Sequence, residues 1–195
     1  EKENLSYFGK NDEANWIYNF SLPPLLIHAF LFENSLYLNK WSKKLPNLKT
    51  GNSYLNFIAS HDGIGLRPAE DFLSSREIQA LIELMQKNGG KVSYRTNQNG
   101  EDSPYELNIS LLNAVNQTFY DTDELQLDRF ICIHAIMMSL EGVPAFYIHS
   151  LLGTENDHEL YSQTKHNRSL NRHIYEKIPL YNELTKNGTV CNKIY

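Results

Sequence analysis

A parallel α/β fold is predicted by three features of this 195-residue sequence. Strand-like and helix-like stretches alternate. The later strand-like stretches are apolar almost throughout, as strands covered on both faces are. Polar clusters follow directly after them, at His61-Asp62 and at His149.

Residues 17–20 form the first candidate strand. Pro23-Pro24 opens a helix predicted over residues 25–44, because proline is tolerated in a first turn that needs no N–H from it. Leu25, Leu26, Ala29, Phe30, Leu36, Leu38 and Trp41 give that helix a broad apolar face, and Pro46 ends it. Residues 54–60 read as a buried strand through Leu55, Phe57, Ile58 and Ala59, followed by a loop over 61–72. Ser74 and Glu77 have capping-box spacing before the next helix, which Gly89-Gly90 stops. Residues 91–108 are polar, rich in Asn, Gly and Ser, and read as a long excursion of the kind that often carries function. A short helical stretch over 109–115 precedes a strong helix over 121–140. That helix is apolar on most sides, so it is expected to be covered from outside as well as packed on the sheet, with Cys132 buried. Residues 143–148 form another apolar strand, residues 152–173 a second polar loop, and residues 178–186 a last helix.

Composition narrows the functional classes. The chain is 41% hydrophobic and 21% charged with a net charge of -5, which is ordinary globular usage without a basic block to track nucleic acid. Two cysteines, Cys132 and Cys191, without C-x-x-C spacing indicate neither a zinc site nor a disulfide scaffold. The apolar stretches are too short to span a bilayer and no secretory signal is visible, so cytoplasm is the expected location. The chain opens on Glu1-Lys2-Glu3-Asn4 without Met, and three strands cannot close a barrel, so it is expected to be a piece of a longer polypeptide with uncovered apolar strand faces.

Three constellations could carry chemistry. In Ser60-His61-Asp62-Gly63, an imidazole and a carboxylate leave a buried strand together, where a sugar's hydroxyls could satisfy them; alternatively Asp62 caps a turn and His61 bonds backbone. Tyr105 and Glu106 stand beside Pro104 in the polar excursion and could touch a ligand or lie in a solvated turn. Arg168, Asn171 and Arg172 could hold an anion or a diol, or be surface charge. His28 reads as a satisfied core histidine, and Asp121, Asp123 and Glu124 as the acidic start of a helix. No metal-ligand spacing and no glycine-rich phosphate loop are present. Chemistry at the C-terminal ends of strands suits a barrel, and open sheets place ligands there too.

Five segments stand in a telling order: Asn4-Leu5-Ser6-Tyr7-Phe8-Gly9, Tyr18-Asn19-Phe20-Ser21-Leu22-Pro23-Pro24-Leu25, Ala59-Ser60-His61-Asp62-Gly63-Ile64-Gly65, Gly142-Val143-Pro144-Ala145-Phe146-Tyr147 and Asn171-Arg172-His173. With them the chain resembles, over nearly its whole length, the sucrose phosphorylase branch of glycoside hydrolase family 13, the α-amylase-like enzymes. The resemblance implies a partial (β/α)8 TIM barrel. Residues 18–20, 57–60 and 145–148 would lie in its sixth, seventh and eighth strands, while the first half of the barrel and a C-terminal β domain would lie outside residues 1–195. It also implies a retaining mechanism in which an Asp nucleophile and a Glu acid/base, both upstream of Glu1, pass a glucosyl group to phosphate.

Residue by residue, the resemblance implies that Asp62 is the third carboxylate, which bonds the glucosyl 2- and 3-hydroxyls and favours the oxocarbenium-like transition state. His61 would bond the same sugar, and Arg172 would fix the far side of the ring. Tyr105 would contact phosphate or acceptor. Sucrose phosphorylases usually have Gln beside that tyrosine; Glu106 here points instead toward sucrose 6'-phosphate or glucosylglycerate as donor. The expected partners are a small α-glucoside and inorganic phosphate as co-substrate, with no metal, no other cofactor, no nucleic acid and no membrane; a homodimer is left open. The alternatives are a family 13 hydrolase or transglucosylase using water or a sugar as acceptor, and a non-catalytic sugar-binding relative.

Overall fold

The computed structural model describes residues 2–10, 12–96 and 100–195. In chain order the elements are α1 (Lys2–Ser6), β1 (Trp16–Tyr18), α2 (Leu22–Leu31), α3 (Leu36–Ser42), β2 (Ser53–Asn56), β3 (Ile64–Gly65), α4 (Ser75–Lys87), β4 (Lys91–Thr96), β5 (Asp102–Asn108), α5 (Leu111–Ala114), α6 (Gln126–Ser139), β6 (Val143–Pro144), α7 (Ile148–Leu151), α8 (His158–Thr164), α9 (Lys177–Thr185) and α10 (Val190–Ile194). Short 3-10 helices cover Arg67–Ala69 and Asn167–Asn171.

The predicted α/β fold with a parallel sheet is present. Strands β1, β2 and β6 pair in that order and all in parallel, with Ile17 opposite Tyr54 and Leu55 opposite Val143. Between sequence-distant strands run buried side chains as well as backbone: Asn19 Nδ2 donates to Asn56 Oδ1 (2.9 Å), and Asn56 Nδ2 donates to the Glu141 carbonyl (3.1 Å). Gly142 closes this corner, since a Cβ there would come within 2.5 Å of the Tyr54 carbonyl oxygen and its φ is +132°. One sheet face packs under Leu25, Leu26, Phe130 and Ile133, all shielded from solvent. Fully burying such a side chain stabilises by about 1.5–3 kcal/mol. The opposite face shows Trp16, Tyr18 and Phe20 to solvent, as the sequence predicts for uncovered strand faces.

Several boundaries differ from expectation. The helix predicted over 25–44 is two helices. Its apolar periodicity continues across the break, but Glu33 takes φ +51° and Asn34 Oδ1 accepts from the Leu36 N–H (3.0 Å), so a local polar bond restarts the helix. The strands predicted over 54–60 and 143–148 shorten to β2 and β6. Residues 57–60 and 145–148 therefore lie outside the ladder, although Ala145 N–H still donates to the Asn56 carbonyl (2.7 Å). Residues 148–151 turn into α7, which places His149 on a helix. The strong helix begins only at Gln126. Asp123 accepts from the Leu125 N–H and pairs with Arg129 Nη1 (2.7 Å) just ahead of it. Its outer side is open: Ile131, Cys132 and Met138 are exposed, contrary to the expected burial of Cys132. The loop predicted over 152–173 contains α8 and the second 3-10 helix, because Asp157 caps α8 at the Leu160 N–H (2.7 Å).

The largest departure is the polar excursion. Its described residues form an antiparallel ribbon of β4 and β5, extended by β3; residues 97–99 lie outside the described residues. Its Asn, Ser and Gly content reads as loop, yet Leu107 and Asn108 are fully buried by pairing with residues far away in sequence. The capping box at Ser74 and Glu77 is as predicted, with both reciprocal bonds formed.

Candidate functional site

The turn after β2 carries His61 and Asp62. Its shape comes from Gly63, whose N–H donates to the Ser60 carbonyl (3.1 Å) and whose φ is +109°. A Cβ at Gly63 would collide with the Leu107 carbonyl, so only glycine lets this turn lie against β5. Asn108, wholly buried on β5, donates from Nδ2 to the Asp62 carbonyl (2.9 Å). Asn171, also buried, donates from Nδ2 to the Ser60 carbonyl (2.9 Å).

Around the Asp62 carboxylate two guanidiniums and an imidazole converge on one oxygen. Oδ1 lies 2.8 Å from Arg168 Nη1, 3.3 Å from Arg172 Nη2 and 3.3 Å from His61 Nε2. Among the described residues no hydrogen bond reaches Oδ2. Arg172 also donates from Nε to the His61 carbonyl (2.7 Å), so it braces the turn as well as the carboxylate. The next residue, His173, is tied through Nδ1 to Asp157 Oδ2 (2.6 Å). Burial pushes the Asp157 carboxyl up, but the Leu160 N–H and the His173 ring outweigh it and hold it below the usual range.

Tyr105 and Glu106 face the same space from β5. Ser93 pairs with Glu106 and Tyr94 with Pro104, so Tyr105 is the extra residue of a bulge. Pro104 brings no N–H to the ladder, and bulges re-aim side chains beside active sites. The Tyr105 carbonyl accepts from the Leu66 N–H (3.0 Å), and its ring lies under the Arg95 guanidinium at 5.7 Å. Glu106 is buried and held by Arg168 in a fork: Nη2 to Oε1 at 2.9 Å, Nη2 to Oε2 at 3.0 Å and Nε to Oε2 at 3.2 Å. Asp62, Tyr105 and Glu106 border one cleft of about 550 Å³, with Tyr7, Phe20 and Phe57 supplying aromatic walls. Tyr18, Phe20 and Phe57 form a ring cluster with centroids 5.3–5.9 Å apart.

All five residues expected at the site therefore gather in one place, His61 and Arg172 through Asp62, and Tyr105 and Glu106 across the cleft. Two expectations need correction. Tyr105 and Glu106 stand on a strand and not in a free loop, and Glu106 is buried in an ion pair. Arg168 is no surface charge: it bridges Glu106 and Asp62. Arg168 lies within the second 3-10 helix and Arg172 directly follows its end at Asn171. Tyr147 is a further member. Burial raises its phenol, with the Arg172 charge lowering and the Asp62 charge raising it, and its OH donates to the Asn171 carbonyl (2.7 Å). His28 is buried as expected, yet its Nδ1 has no hydrogen-bond partner among the described residues; its ring instead stacks on Phe32 at 4.6 Å.

No protein-family model matches the chain. Curated proteins do. The chain is 40% identical to a glucosylglycerate phosphorylase of Escherichia coli (strain K12) over 195 residues, which is 100% of this chain and 35% of that protein. It is 44% identical to the glucosylglycerate phosphorylase of Spirochaeta thermophila over 171 residues, covering 88% of this chain and 29% of that protein. Sucrose phosphorylases match at lower identity. The crystal structure of sucrose 6F-phosphate phosphorylase from Thermoanaerobacter thermosaccharolyticum superposes with a TM-score of 0.77 at 21% identity, over 97% of this chain and 36% of that one. That likeness shows a partial version of the same α/β fold. The chain spans about a third of the length of the relatives it matches.

Proposed function

Starting from a chain homologous to glucosylglycerate and sucrose phosphorylases, we propose that it forms part of the active site of a retaining α-glucoside phosphorylase, with glucosylglycerate as the first donor to test. One observation carries the reading: Asp62, held from one side through Oδ1, meets Tyr105 and Glu106 at the rim of a single aromatic-walled cleft. A sugar-binding carboxylate needs a fixed orientation and an oxygen free for hydroxyls, and Oδ2 is that oxygen.

In this reading Asp62 bonds the glucosyl 2- and 3-hydroxyls and stabilises positive charge at the anomeric carbon. His61 bonds the same sugar. Arg172 sets the turn that carries both. Tyr105, aimed by its bulge, contacts phosphate or the departing acceptor. The nucleophilic Asp and the acid/base Glu of the two-carboxylate scheme match no residue of this chain. The whole protein would need inorganic phosphate as co-substrate and neither metal nor organic cofactor, and it would work in the cytoplasm. Among the described residues no helix is long and apolar enough to cross a membrane.

The test is product analysis with the full-length gene product, glucosylglycerate and phosphate. Phosphate-dependent release of α-glucose 1-phosphate is expected. Hydrolysis at one rate with or without phosphate would make it a hydrolase, and sugar binding without turnover would make it a binding relative.

A further inference from the structure

Arg168 is the only cation among the described residues that touches both Asp62 and Glu106. We propose that Arg168 is a positioning residue that locks Glu106, on the acceptor side, and Asp62, on the glucosyl side, into one unit, so that what occupies the acceptor side sets where Asp62 stands. The proposal rests on the phosphorylase reading above for which side is which.

The geometry supports it from both ends. The Glu106 side chain is 7% exposed, and a buried carboxylate depends on its partner. Both of its oxygens are taken by Arg168, and no other donor among the described residues reaches them. Glu106 thus serves to orient the guanidinium, and is not free to act as a base or to hold the acceptor alone. At the other end, Nη1 of the same planar group reaches Asp62 Oδ1. A planar group fixed by a fork at one edge has no freedom left at the other, so the position of Glu106 dictates that of Nη1. The two ends stand on separate elements, since β5 carries Glu106 and the turn after β2 carries Asp62. A ligand pressing on Tyr105 or Glu106 therefore moves Asp62 through one rigid side chain. A lysine could neutralise either carboxylate but could not make the fork and the third contact together.

The experiment uses the full-length gene product and the variants Arg168→Lys, Arg168→Gln, Glu106→Gln and Arg168→Lys/Glu106→Gln. Misplacing a reacting group by about 1 Å can cost ~10²-fold in rate. We expect kcat for phosphorolysis to fall about that much in Arg168→Lys, and to fall in Glu106→Gln as well, because the fork that orients the guanidinium is weakened. The double variant should be no worse than Arg168→Lys, because the two residues act as a pair. Crystals of Arg168→Gln should show the Asp62 carboxylate displaced by more than ~0.5 Å, the tolerance of a working site. Wild-type turnover in Arg168→Lys, additive losses in the double variant, or an Asp62 unmoved in Arg168→Gln would overturn the proposal. If the wild type released no glucose 1-phosphate while Asp62 still moved in Arg168→Gln, the lock would stand and the phosphorylase reading would fall.

Discussion

Asn108 holds the backbone of Asp62: its Nδ2 donates to the Asp62 carbonyl at 2.9 Å, while its Oδ1 accepts from Ser93 Oγ at 2.6 Å. The ribbon and the site turn are thereby one structure. Asn108→Ala would remove the donor to the partly buried Asp62 carbonyl and the acceptor of the Ser93 hydroxyl, which among the described residues keeps only Asn167 Nδ2 at 3.3 Å. Leaving a buried polar group unpaired costs about 1–3 kcal/mol, so unfolding titrations should show a loss in that range together with lower activity. A variant as stable and active as wild type would detach the ribbon from the site.

Gly63 is the second fixed point. Gly63→Ala combines a left-handed φ with a collision against the Leu107 carbonyl. The conformational strain alone is worth roughly 1–3 kcal/mol. Expected are a lower melting temperature and a loss of sugar binding larger than the stability loss explains, because the turn carrying Asp62 must shift. Calorimetric binding of glucose, measured beside thermal melts, separates the two effects.

Asp62→Asn removes charge without changing shape. Loss of one good transition-state contact costs ~10²–10³ in rate. The phosphorolysis rate of the full-length gene product should fall by at least that, with stability nearly unchanged because the carboxylate is partly exposed. Near-normal turnover would remove Asp62 from the catalytic group.

Acid should weaken the fold through histidines and not only through carboxylates. Burial lowers the imidazoles of His28, His134 and His149 below their ordinary 6.5; Glu77 partly opposes this at His28, the Phe130 carbonyl opposes it at His134, and the His173 charge reinforces it at His149. With the folded value below the unfolded one, the unfolded chain binds more protons just under pH 6.5, so stability is full above that pH and falls as pH drops through the window. The slope is at most about 1.4 kcal/mol per pH unit for each histidine. His134→Gln, which can still reach the Phe130 carbonyl, should flatten the fall between pH 7 and pH 5. An unchanged slope would exclude His134 as a source.

How much of this could be read in advance differs between the sheet and the site. The parallel sheet was legible because Ile17, Leu55 and Val143 stand in local apolar runs. The Ser74–Glu77 cap was legible because its spacing is local too. The ribbon was not, because Ser93 and Glu106 become strand residues only by finding each other, and Asn, Ser and Pro content conceals that. His61, Asp62 and Arg172 stand in the ordered motifs, which gave roles to residues whose own chemistry left two readings open; Tyr105 and Glu106 stand outside those segments and were named from their place beside Pro104 and from the resemblance. Arg168 was left between anion holder and surface charge because a sequence shows a guanidinium but not the buried carboxylate that pairs with it. Glu33 ended a helix that Leu31 and Trp41 seemed to continue, since periodicity is blind to one positive φ.

The side-chain bonds from Asn19 to Asn56 and from Asn56 to the Glu141 carbonyl bear on alignment more than on strength. Strand β6 contributes only two paired residues, too few for backbone bonds to distinguish the native alignment from one displaced along the strand. An amide at Asn56 finds both of its neighbours in only one alignment, so it works as a ratchet pawl for the sheet. Apolar residues at both positions could leave melting temperature intact and still let β6 slide. The turn that begins at Ser60 depends on Asn171 from beyond β6. Its aim is therefore set, at one remove, by two asparagines that never touch the cleft.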